Sequence, residues 1–219
     1  MHNFSVWVVL VLTAYSGIYY VHCMWTGKAK PVLATWVLMM VMIGLSVWMY
    51  WDSPEKTWTG NIGVMAAVLN VAIILIGVIV VNVRDKTLSV AFDRPQKWCL
   101  VSGGAVTVFW WLTDEPLISY VLVQIIALIG YFATVKKLWR AKESTEPITV
   151  WGAIFIASVF SAYPAFERND LYAWIYLVRA IPSTALVIYS INRVQRRERI
   201  VQDVARFDLE RERLEAAGS

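Results

Sequence analysis

An arginine and a proline stand inside a hydrophobic run of this chain, and their placement demands a chemical explanation. In residues 171–191, LYAWIYLVRAIPSTALVIYSI, Arg179 lies eight residues in, about 12 Å deep at the rise of a helix. Burying a charge there costs roughly 2.5 to 3.5 kcal/mol even on the lenient insertion scale. Pro182 has no amide proton, and its ring presses on the carbonyl of Val178, so a bend and a bare acceptor are expected beside the arginine. Steps of four, three and four lead from Tyr172 through Tyr176 and Arg179 to Ser183. They put all four on one helix face, which is expected to look into protein or a polar cavity. A planar guanidinium suits a carboxylate or phosphate, which it binds through two parallel hydrogen bonds. The expected ligand is therefore an anionic or zwitterionic small solute.

Other polar residues lie at a similar depth. Asn70 and Gln124 fall about 12 to 14 Å from the outer ends of their helices. Gln124 shares a face with Tyr120, Ala127, Tyr131 and Thr134, and Asn70 shares one with Gly63, Ala66, Ala67 and Gly77. Thr13, Ser16 and Tyr20 continue the pattern in the first hydrophobic run. Asn70, Gln124, Tyr131, Tyr176, Arg179 and Ser183 are the expected binding residues, with Pro182 as a gating bend. The alternative for Asn70 and Gln124 is hydrogen bonding between helices, worth on the order of 0.6 to 2 kcal/mol. Arg179 has no such simple partner, because no Asp or Glu falls inside any hydrophobic run.

Several chemistries find no support. No nucleophile stands beside a base, no paired carboxylates lie within a run, and the last run has no lysine for a Schiff base. Enzyme activity and retinal photochemistry are not expected. His2, His22, Cys23 and Cys99 lack metal-ligand spacing, so neither a metal site nor a cofactor is expected. The cysteines fall at predicted cytoplasmic helix ends, where free thiols are the expectation.

These residues need helices to position them, and the composition says in what medium. Hydrophobic residues make up 58% of the 219 and charged residues only 16%, against about 25% charged in soluble domains. Spans are expected at 4–24, 32–50, 61–83, 98–113, 117–135, 148–166 and 171–191. The fourth is short at 16 residues and needs snorkelling by Lys97 or local thinning. With the N-terminus outside, the inner segments hold 17 of the 20 lysines and arginines, as the positive-inside rule requires. No basic region precedes the first span and no small-residue cleavage site follows it, so a cleaved signal is not expected. The net charge of +4 matches inner loops facing anionic lipid, and no nucleic-acid partner is expected.

A repeat is visible within this order. Residues 25–36 read WTGKAKPVLATW and residues 139–151 read WRAKESTEPITVW. Both copies open W-x-(G/A)-K, and both carry a proline expected in the first turn of the next helix. The third and seventh spans align locally, VLNVA against LVRAI, which pairs Asn70 with Arg179. The expected units are residues 1–83, a linker with the fourth helix at 84–115, residues 116–192, and a charged tail at 193–219. In the tail Ile200, Val204 and Phe207 mark an amphipathic cytoplasmic helix.

With these features the chain resembles the PQ-loop and SWEET superfamily of transporters. The stretches YYVHCMWTGKAKPVLATW and YFATVKKLWRAKESTEPITVW carry the resemblance, together with Asn70. Tyr19-Tyr20 and Ala133-Thr134 stand nearest to where that family has a Pro-Gln pair. The resemblance implies an all-α integral membrane protein of seven transmembrane helices. It would comprise two parallel three-helix units joined by a linker helix (3+1+3), with the N-terminus outside and the C-terminus cytoplasmic. It also implies that Asn70 lines a substrate path, with Arg179 at the counterpart position. The second half is similar to the lipid A biosynthesis N-terminal-type membrane domain. The expectation is a secondary transporter or facilitator of a small polar solute in a bacterial inner membrane, with membrane lipids as partners and a homo-oligomer left open. The alternatives are a lipid-associated or accessory protein holding a phospholipid-like headgroup, and a receptor of the same fold.

Overall fold

The computed structural model describes residues 1–29, 31–54, 56–86, 92, 94–141, 144 and 146–217, with side chains except at 95, 133, 204, 205 and 207–217. These residues form helices α1 (His2–Trp25), α2 (Leu33–Trp51), α3 (Ile62–Arg84), α4 (Arg94–Thr113), α5 (Pro116–Arg140), α6 (Ile148–Arg168) and α7 (Leu171–Ala217), with no strand among them. Every element is helical because apolar runs in lipid must satisfy their backbone groups internally. Six of the seven helices are long and apolar enough to cross a membrane, and α4 is the exception. It opens with Arg94, Gln96 and Lys97, four residues ahead of the expected span, and this polar turn dilutes its apolar character. The molecule is a multi-pass helical membrane protein.

Local chemistry sets the helix ends. Asn61 caps α3, its Oδ1 accepting from the Val64 amide at 3.4 Å, and the Asp170 Oδ1 accepts from the Ala173 amide of α7 at 2.9 Å. These are the side chains expected to hold otherwise unpaired amides at a helix start. Pro116 begins α5, and α6 ends on Asn169 in the left-handed region, φ 49°. The repeated prolines sit slightly earlier than expected. Pro147 is the extended cap ahead of α6, and Pro31 precedes Val32, the cap of α2. α7 runs unbroken through Pro182, where the Thr184 hydroxyl donates to the carbonyls of Ala180 (2.8 Å) and Ile181 (3.1 Å).

The tail is helical, as expected, and it continues α7 without a break to Ala217, a helix of 47 residues. Between Pro182 and Ala217 no glycine or proline interrupts the strong helix formers Arg, Glu, Gln and Ala. Ile200 is exposed. Of its amphipathic companions, the side chains of Val204 and Phe207 lie outside the described residues, as do Lys30, Glu55, Lys142 and residues 87–91 and 93 of the expected 84–115 linker.

The helices pack in a closed circuit. α1 lies against α3 and α6, α2 against α3 and α5, α7 against α5 and α6, and α4 against α5 and α2. Close approach needs small residues where lipid supplies no hydrophobic drive. At Gly77 of α3 a Cβ would stand 2.5 Å from the Val21 Cγ2 of α1, and at Gly63 one would stand 2.7 Å from the Tyr176 ring of α7. One end of the bundle carries the acidic loop residues Asp52, Asp114, Glu115 and Glu167; the other carries Lys28, Lys136, Lys137 and Arg140. The first is the acidic end of the bundle and the second the basic end.

Candidate functional site

α7 turns Tyr172, Tyr176 and Ser183 into the protein, each buried, and leaves Arg179 half-buried beside them. The Arg179 Nε donates to Gln124 Oε1 at 2.8 Å. Its guanidinium lies over two rings, 5.4 Å from the Tyr131 centroid and 5.0 Å from that of Tyr176. Ring faces attract a cation most strongly where water is scarce. Gln124 is fixed in turn, because its Nε2 donates to Ser46 Oγ at 2.8 Å and that hydroxyl donates to the Met42 carbonyl at 2.9 Å. A chain of hydrogen bonds therefore runs from α7 through α5 to α2. Among the described residues the bond to Gln124 is the only one Arg179 makes, so its Nη atoms remain available to a ligand.

Asn70 of α3 faces the same space from the opposite side. Its Nδ2 donates to the Thr13 carbonyl at 2.9 Å and to Ser16 Oγ at 2.7 Å. The interhelical bonding weighed from the sequence is thus real for both Asn70 and Gln124. A cavity of about 70 Å³ lies between them, lined by Asn70, Tyr131, Tyr176, Arg179, Trp36 and Trp151 among others. It brings together Asn70, Tyr131, Tyr176 and Arg179 of the expected set.

The rest of that set lies behind the cavity wall. Gln124, Pro182 and Ser183 line a groove of about 430 Å³ between α5 and α7, and Tyr131 and Arg179 border both spaces. The groove is otherwise apolar, and Ile125, Phe132 and Val178 on its rim are exposed at mid-helix, where lipid would lie. The Ser183 hydroxyl is buried without a hydrogen-bond partner among the described residues.

Towards the basic end a third space, about 270 Å³, opens between α2, α5 and the start of α6. Trp36, Met39 and Trp151 border both this vestibule and the central cavity, so they form the partition between them. Glu146 lines the vestibule and is buried. Its Oε2 accepts from the Tyr20 hydroxyl at 3.1 Å and from Trp151 Nε1 at 3.4 Å, and Lys137 Nζ stands 3.8 Å from Oε1. Burial raises its pKa above the usual carboxylate range, against the opposing pull of Lys137 and the two donors.

Tyrosines cluster at the acidic end. The Tyr50 hydroxyl bonds to Asp170 Oδ2 at 2.7 Å, and Asn61 Nδ2 donates to the Tyr120 hydroxyl at 3.2 Å. Tyr172 packs edge-on against both rings, with centroids 5.8 Å from Tyr50 and 5.0 Å from Tyr120. Sequence reasoning missed Glu146, Asp170, Tyr20, Tyr50 and the Trp36–Trp151 partition as a working set. Asp170 carried one usable signal, an acid immediately before an apolar run; Glu146 sits in a charged loop whose composition says nothing of burial.

Fold and site together define a polytopic membrane protein with a small, mostly apolar cavity inside its helices, bordered by Asn70 and Arg179. No family model, curated protein or solved structure matches the chain.

Proposed function

We propose that the protein is a secondary transporter or facilitator of a small anionic or zwitterionic solute, working by alternating access between two three-helix units. The units are residues 1–83 and 116–192, and α4 connects them so that both keep one orientation. Three lines support this. Exchanging α1 with α5, α2 with α6 and α3 with α7 carries the packing of α1 on α3 into that of α5 on α7. It likewise carries α2 on α3 into α6 on α7, and α1 on α6 into α5 on α2. A constant offset of 109 residues pairs Asn61 with Asp170, Asn70 with Arg179 and Arg84 with Arg193. Finally, the tryptophans that open the two repeated loops make the same contact, Arg84 lying 4.4 Å over Trp25 and Arg193 4.9 Å over Trp139. Sites between such repeats are a recurrent transporter arrangement.

The observation that carries the reading is that Asn70 and Arg179, from matching places in the two units, line one cavity with the Nη edge of the arginine unbonded among the described residues. A solute carboxylate or phosphate would meet that edge while Gln124 and the tyrosine faces hold the guanidinium in place. With the basic end cytoplasmic, the vestibule is the inner approach and the tyrosine cluster the outer closure. Uptake by proteoliposomes across a panel of anionic, zwitterionic and neutral solutes tests this. At least one charged solute should enter through the parent and fail to enter through Arg179→Ala, and uniform exclusion of the whole panel counts against transport.

The groove between α5 and α7 favours a second reading, in which Arg179 holds the headgroup of a lipid reached sideways from the bilayer. Anionic lipid that copurifies with the parent and is lost in Arg179→Ala, with no solute uptake, would favour it.

A further inference from the structure

Among the described residues only two carboxylates are buried, Glu146 and Asp170. They lie at opposite ends of the bundle, and each takes the hydroxyl of a tyrosine from the other unit. Asp170 takes Tyr50 of α2, and Glu146 takes Tyr20 of α1. The two are held differently. Asp170 also accepts the Ala173 amide at the start of α7, where the helix dipole favours an anion. Among the described residues, Glu146 has, besides Tyr20, the long bond from Trp151 and Lys137 at 3.8 Å.

From this arrangement we infer that Glu146 is a proton-binding site that closes the basic end of the cavity when it is protonated. The inference rests on the transporter reading and supplies its coupling ion. The proton comes from the solution at the basic end and adds to the carboxylate; nothing else is made or broken.

The sign follows from linkage. In the closed conformation Glu146 is buried and its pKa is raised; in an open one it would be solvated, with an ordinary value. The closed state therefore binds the proton more tightly, and acid favours closure. Closure strengthens as the pH falls through the raised value and is complete below the ordinary one. Above the raised value the buried charge drives α1 and α6 apart. The groups facing Glu146 are Tyr20 from α1, Lys137 from α5 and Trp151 from α6. Ser144 of its own loop donates to its carbonyl and also holds Glu198 of α7. From α2, Trp36 packs on the Tyr20 ring at 5.2 Å, while Thr35 and Gln96 on the vestibule wall are neutral. Lys137 is the one cation among these groups.

The test is the separation of α1 from α6, read by pulsed electron paramagnetic resonance. Spin labels are placed at Lys28→Cys and Thr149→Cys, with both native cysteines replaced, in lipid nanodiscs from about pH 8 down to about pH 4.5. The long-distance population should dominate in base and shrink in acid, the open-to-closed ratio changing by up to about tenfold per pH unit, the limit for one proton. Glu146→Gln should hold the short distance at every pH. Tyr20→Phe should lengthen the distance at every pH while keeping a titration. A parent that does not respond, one that opens in acid, or a Glu146→Gln protein that still titrates overturns the inference. No solute is needed, so a failed latch leaves the transport reading to its uptake assay, and a failed uptake assay leaves this titration standing.

Discussion

Arg179 has no carboxylate within its membrane span to neutralise it, and the residues around it work as a mount. Gln124 fixes Nε, two tyrosine faces flank the guanidinium, and the terminal nitrogens stay open. Gln124→Leu should therefore weaken solute binding without removing the charge, by about tenfold, the worth of one hydrogen bond to a charged group; a binding isotherm reads it. Asn70→Ala removes two bonds to α1 and should lower stability by about 0.6 to 1.7 kcal/mol, measured by denaturant titration in detergent micelles. The sequence made Arg179 legible because a charge in an apolar run has few explanations. It did not make Glu146 legible, because burial of that carboxylate is created by Tyr20 and Trp151, one arriving from a helix 126 residues away.

At the scale of elements, six hydrophobic runs read from the sequence match α1, α2, α3, α5, α6 and α7 to within a residue at their starts or inside them, since length and apolarity decide a span. α4 was less legible, and the union of the last span with the tail was not legible at all, because a change of composition does not end a helix without a breaker. Close contacts between helices are where substitutions should tell. Gly77→Ala puts a methyl 2.5 Å from the Val21 Cγ2, and overpacking of that kind costs about 1 to 3 kcal/mol, visible as a lowered melting temperature. Gly104→Ala, with open space around it, should leave that temperature unchanged. Pro182→Ala restores an amide donor to the α7 ladder and should stiffen the helix; uptake rate should fall while melting temperature rises.

On the proposed reading, the whole molecule is two units closing on each other at both ends, with a small cavity between. Tyr50 on Asp170 and Tyr20 on Glu146 hold the closures, and Arg179 sits roughly between them. The sequence hinted at the two units through a short repeated loop and one aligned pentapeptide; the matching arginine–tryptophan contacts needed three dimensions, because the partners lie far apart in the chain. On the proposed reading, the positive charge of Arg179 selects the solute. The most direct test is uptake of the best-transported anionic solute by parent, Arg179→Lys and Arg179→Gln proteins in the same proteoliposomes. Arg179→Gln should lose roughly 10-fold to 150-fold in affinity, the equivalent of about 1.5 to 3 kcal/mol for a charged hydrogen bond. Arg179→Lys should fall between the two, because a lysine keeps the charge and loses the paired geometry. Equal handling of the anion by all three proteins would contradict the account.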